Sequence, residues 1–97
     1  MSPSAPSDGW QFKATHRFWK SYEKLPKQQR ESARKVWKTF QTDPFSPSLK
    51  THKIQALSAK ARKTVYSVRI EGDLRAVFIV EGPAIVTLDI GTHAIYR

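Results

Sequence analysis

Two arginines, Arg69 and Arg75, flank the turn signal Glu71-Gly72-Asp73, and His93 and Tyr96 lie in the last few residues of the sequence. These residue types suit one chemistry in particular. Cleaving RNA through its own 2′-hydroxyl needs a base for that hydroxyl, positive charge on the crowded phosphate, and an acid for the leaving 5′-oxygen. An arginine offers an always-charged planar fork to phosphate oxygens. A histidine, ordinarily titrating near about 6.5, can take or give the proton close to neutrality. A tyrosine hydroxyl can orient the sugar or assist the transfer. No metal is required.

Other chemistries lack their residues. No glycine-rich phosphate loop precedes a helical pattern. His16, His52 and His93 are not at metal-ligand spacing with carboxylates. Without cysteine there is no thiolate zinc site, no disulfide framework and no cysteine nucleophile. Neither paired carboxylates nor a nucleophile elbow is apparent. The expectation is therefore no metal and no cofactor.

The elements that must position the four residues are legible from period. Thr64–Ile70, Leu74–Val80 and Ile85–Ile90 read as three strands joined by the hairpin signals EGD and EGPA. In the first, Tyr66, Val68 and Ile70 oppose Val65, Ser67 and Arg69. In the second, Leu74, Ala76, Phe78 and Val80 oppose Arg75, Val77 and Ile79. In the third, Val86, Leu88 and Ile90 oppose Ile85, Thr87 and Asp89. Superposing the apolar sets leaves Ser67, Arg69, Arg75, Thr87, Asp89 and, just beyond the strand, His93 on the other face, an open polar groove. Arg69 and Arg75 also have a plainer reading, as cross-strand partners of Asp73, Asp89 or Glu71.

Upstream, Trp10–Thr15 alternates weakly, as a short strand at or near a sheet edge. Thr15 suits the N-cap of a helix from His16 to about Lys24, with Phe18, Trp19, Tyr22 and Leu25 as its apolar stripe. Pro26 starts a second helix, Lys27 to Gln41, with the stripe Ala33, Val36, Trp37 and Phe40, and Asp43-Pro44 ends it. Residues 44–63 show no clean period and read as a long basic loop pinned by Leu49, Ile54 and Leu57. The helical hairpin must cover the apolar face of the sheet.

Length and charge bound the rest. Ninety-seven residues make one domain with one modest core. Residues 1–9 read as a flexible N-terminal arm and 10–97 as the domain. No apolar run approaches a membrane span, and the N-terminus has no secretory pattern; with no cysteine, a reducing cytoplasm is the expected location. Seventeen Lys and Arg against eight Asp and Glu give a net charge of +9. Ten of the basic residues fall in 27–63 against two acids. Such a field suits a polyanion or an acidic protein partner.

Taken together, Leu25-Pro26 between two helices, Asp43-Pro44 after the second, the strand YSVRI, the post-turn arginine in GDLRAVFIV and the ending IGTHAIYR resemble the RelE/ParE superfamily of type II toxin–antitoxin toxins. The resemblance runs from Trp10 onward. It implies a small α+β domain, an antiparallel sheet in the order β-α-α-β-β-β with a helical hairpin on one face. It implies a metal-independent endoribonuclease that cleaves mRNA in the ribosomal A site, held inactive by a cognate antitoxin. Carried over, Arg69 falls where a functional strand lysine lies, Arg75 on the post-turn arginine, and His93 and Tyr96 in the terminal basic/aromatic motif. Lys50, His52, Lys53, Arg62 and Lys63 become contacts to rRNA or mRNA phosphates, and the antitoxin should be acidic. Ser67 stands where RelE proper has another lysine, and Thr92-His93 replaces a run of basic residues. Those departures keep open the ParE-like branch, which poisons DNA gyrase without cutting RNA. A third reading is a basic nucleic-acid- or protein-binding module without catalysis.

Overall fold

The computed structural model describes residues 5–7 and 9–92. Thr15 caps α1 (His16–Glu23) as its type suggests: the hydroxyl accepts from the Phe18 N–H at 3.1 Å. The short strand before it, β1 (Gln11–Ala14), packs Phe12 and Ala14 inward. Leu25-Pro26 separates α1 from α2 (Lys27–Thr42), and Asp43 leaves the second helix in an extended conformation just before Pro44. The Tyr22 hydroxyl accepts from Arg34 Nε at 2.9 Å and lies 3.4 Å from the Arg30 carbonyl, lacing the two helices together.

Residues 44–63 are more ordered than a loop. They hold a single 3-10 turn at Pro47–Leu49, the two-residue strand β2 (His52–Lys53) and α3 (Gln55–Ala61). Two residues carry no period, and α3 has too few turns to display a stripe. Hence the aperiodic reading, and hence its correction. Then come β3 (Val65–Glu71), β4 (Leu74–Glu81) and β5 (Ala84–Gly91). Both hairpins turn on two residues, with Gly72 at φ +48° and Gly82 at φ +57° supplying the left-handed backbone at the first loop position.

Among the described residues the sheet order is β1-β5-β4-β3-β2. It is mixed where an antiparallel sheet was expected, because β1 runs parallel to β5, pairing Gln11 with Ala84 through Ala14 with Thr87. The helical crossover returns the chain to the sheet on the far side, so β1 joins the last strand at an edge.

One face carries the main core. Phe78, 0% exposed, sits at its centre, edge-on to Phe40 and Phe45 with centroids 5.1 and 5.8 Å away and stacked on Tyr66 at 5.3 Å. Phe18, Ala33, Leu49, Val68, Leu74, Ala76, Ile85 and Ile90 complete it.

The face reading of β5 needs a second correction. The pairing steps from Val77↔Asp89 to Phe78↔Thr87, so Leu88 is an extra residue in a bulge. Before the bulge Ile85 and Thr87 face the helices; after it Ile90 does, while Asp89 shares the face of Val77. Thr87 therefore leaves the proposed polar set. It is 1% exposed, and its Oγ1 finds no hydrogen-bond partner among the described residues. A buried hydroxyl left unpaired costs roughly 1–3 kcal/mol. Thr87→Val, nearly the same shape, is expected to raise the unfolding free energy by about 1 kcal/mol in a denaturant titration. A loss of stability would show that the hydroxyl has a partner after all.

Candidate active site

The face away from α1 and α2 is not wholly polar. Val65, Val77 and Ile79 form a second, smaller apolar cluster, with Leu57 of α3, Val86 and Leu88 packed against it. So α3 covers one end of this face and the polar residues are confined to the other. The register sets them in rows. His52 stands opposite Ser67, Ser67 opposite Val77, and Val77 opposite Asp89. In the next row Arg69 stands opposite Arg75, and Arg75 opposite Gly91.

The two arginines thus meet directly across the β3–β4 ladder, with about 5 Å between their Cβ atoms. Like charges so placed repel, and neither forms an ion pair among the described residues. Arg69 is exposed. Arg75 is half-buried, and its Nε is a buried donor with no partner among the described residues. An anion bridging the pair would remove both penalties.

His52 joins this face from the edge strand. Its Nδ1 lies 3.0 Å from the Lys50 carbonyl. A carbonyl only accepts, so Nδ1 carries the proton and Nε2 of the neutral ring holds the free lone pair. Cross-strand geometry puts His52 diagonal to Arg69, about 7–8 Å away. Ser67, between them, is fully buried. Asp89 does not pair with Arg75 as the plainer reading allowed; its Oδ2 accepts from Arg17 Nε at 3.1 Å.

His93 and Tyr96 lie outside the described residues. The five residues expected to contact RNA divide. His52 is on the arginine face. Lys53, Arg62 and Lys63 surround a separate open depression of about 420 Å³ with Gln55 and Ser58. It lies toward the Val65 end of β3, which is about 13 Å along the strand from Arg69. Lys63 there is already paired with Glu81. Lys50 is exposed on a left-handed turn, φ +51°, after the 3-10 segment.

Sequence reasoning missed Arg17. Its one available signal was Asp89, a carboxylate in an otherwise apolar strand that had to find a cation. It also missed an apolar cleft of about 110 Å³ between α1, α2 and the sheet, lined by Phe18, Trp37, Val68 and Ile90, with Trp19, 51% exposed, and Arg34 also on its walls. No group of three or more potential metal ligands occurs among the described residues, and no helix there is long and apolar enough to cross a membrane.

No protein-family model and no curated protein sequence matches the chain. Its likeness to known proteins is structural. A chain of the archaeal RelE–RelB complex from Pyrococcus horikoshii OT3 superposes with a TM-score of 0.66 at 16% identity, covering 86% of this chain and 93% of that one. A chain of the E. coli DinJ–YafQ toxin–antitoxin complex gives 0.68 at 16% identity, over 89% and 94%. The YoeB/ParE toxin from Agrobacterium tumefaciens gives 0.66 at 18% identity, over 86% and 98%. Superposition over most of each chain at these scores shows that the chain has the RelE/ParE-like toxin fold.

Proposed function

We propose that the protein is the toxin of a type II toxin–antitoxin pair and acts as a metal-independent, ribosome-dependent endoribonuclease that cleaves mRNA through the 2′-hydroxyl. The observation that carries this reading is the Arg69–Arg75 pair, two arginines directly opposite across the ladder, one with a buried Nε unpartnered among the described residues, on the sheet face away from α1 and α2. In this reading both arginines hold the phosphate as its charge grows. His93 transfers the proton and Tyr96 orients or assists. His52, diagonal to Arg69 on the neighbouring strand, is a second histidine able to serve. Lys50, Lys53, Arg62 and Lys63 contact RNA phosphates further out.

The partner is a cognate antitoxin, acidic to match the net charge of +9. Its apolar side chains would fill the cleft beside Trp19, with Arg34 meeting an acidic neighbour. The site of action is the cytoplasm, on ribosomes.

The test is induction of the chain without any antitoxin. Early loss of translation with mRNA cut at defined sites is the expected result. A ParE-like gyrase poison, favoured by the YoeB/ParE neighbour, gives an SOS response and broken DNA with mRNA intact. Unimpaired growth would leave only the non-catalytic binding module. An acidic antitoxin gene beside this one would support the toxin reading in either form.

A further inference from the structure

Arg17 and Asp89 are 72 positions apart and meet at 3.1 Å. Asp89 lies in β5 with its side chain 10% exposed, and its other oxygen, Oδ1, accepts from the Ile90 N–H at 2.8 Å. Arg17 belongs to the first turn of α1, whose start is fastened to the same strand. Thr15 donates its hydroxyl to the Leu88 carbonyl at 2.8 Å and its N–H to the Thr87 carbonyl at 3.0 Å. β1 covers β5 only over Ala84 to Thr87, so the edge of β5 at Asp89 lies beyond it. The Arg17 side chain reaches over that edge to a carboxylate that shares its face with Val77, one row from Arg75.

The contact uses Nε, the inner nitrogen of the fork, and the Arg17 side chain is 80% exposed. The outer edge of the guanidinium is therefore turned to solvent, its plane set by a buried carboxylate. An ion pair so exposed on one side adds little to stability. The first turn of α1 contains no acidic residue of its own, so Asp89 is the carboxylate that meets Arg17 there.

We propose that Arg17 is a third phosphate-binding arginine of the Arg69–Arg75 face, held in position by Asp89, and that its ligand is the RNA backbone beside the scissile phosphate. The proposal rests on the RNA reading above. It extends the nucleic-acid path from β3 across β4 and β5 onto the start of α1.

The test is fluorescence anisotropy of a short single-stranded RNA, 2′-O-methylated throughout so that it cannot be cut, titrated with the full chain at several salt concentrations. Each phosphate contact on a single strand contributes about 0.7 to the slope of log K against log salt. Arg17→Ala is expected to weaken binding roughly fivefold at low salt and to lower that slope by about 0.7, measured below the melting transition of the variant. Lys38→Ala removes an equal charge from the exposed side of α2 and should leave the slope as it is. Asp89→Asn separates positioning from field. Removing a negative charge alone would tighten RNA binding, whereas loss of the tether weakens it, and weaker binding is expected. An unchanged slope in Arg17→Ala, or an equal fall in Lys38→Ala, overturns the proposal. Tighter binding in Asp89→Asn overturns the role given to Asp89. A wild-type chain that binds no RNA at low salt sinks the RNA reading itself, which the variants cannot do.

Discussion

Arg75→Ala is expected to abolish growth arrest on induction while the protein stays folded. The side chain belongs to β4, the central strand, half-buried on the face that α1 and α2 leave open. Under the nuclease reading it meets the phosphate oxygens where negative charge grows fastest. Losing one such contact costs on the order of 10²–10³ in rate, the scale seen when an oxyanion donor is removed. Stability should not suffer, since alanine relieves the repulsion across the ladder from Arg69 and removes the unpartnered Nε. The melting temperature should therefore match or exceed that of the wild type. Arg75→Lys keeps the charge but loses the fork, and should fall between the two. Tyr96→Phe tests the terminal motif in the same assay. If Arg75→Ala and Tyr96→Phe are both folded and fully toxic, the site is elsewhere.

Under the same reading Phe78→Ala is expected to lose toxicity by another route. Phe78 has no exposed surface and touches rings from α2, from the segment after it and from β3. It is where the helical hairpin and the sheet share a core. Truncation of a buried phenylalanine costs about 3–5 kcal/mol, because the cavity closes only in part. A domain of this size has roughly 5–15 kcal/mol in total. The melting temperature should drop by more than about 10 °C, and the protein should become largely insoluble on expression. A drop of only a degree or two would mean that the core is not organised around this ring. The pair of variants separates chemistry from folding: one keeps the fold and loses activity, the other loses both.

Much of the fold was legible because its elements repeat. Phe18 and Tyr22, then Ala33, Val36, Trp37 and Phe40, recur at helical spacing; Tyr66, Val68, Ala76 and Phe78 recur at every second residue. Burial of one stripe forces these periods, so they survive in the sequence. That Arg69 and Arg75 share a face was legible from the apolar sets; that they stand directly opposite depends on a bulge at Ile70, since the turn pairing Glu71 with Leu74 would otherwise set Arg75 against Ile70. The misreadings all lie where period is lost. β2 and α3 are too short to show one. The bulge at Leu88 adds a residue and resets the alternation, which carried Thr87 into the core.

The sequence by itself therefore determined the order of the main elements, the shared face of Arg69 and Arg75 and the +9 charge that calls for a polyanion or an acidic partner. Tertiary structure alone decided three matters. It set β1 parallel to β5, it brought His52 into the row beside Arg69, and it joined Arg17 to Asp89. The physical reason is the same in each case. Local periodicity records which side of an element is buried, but a contact between residues 72 positions apart depends on where the chain returns. That return is chosen by the shared core around Phe78, which no single segment encodes.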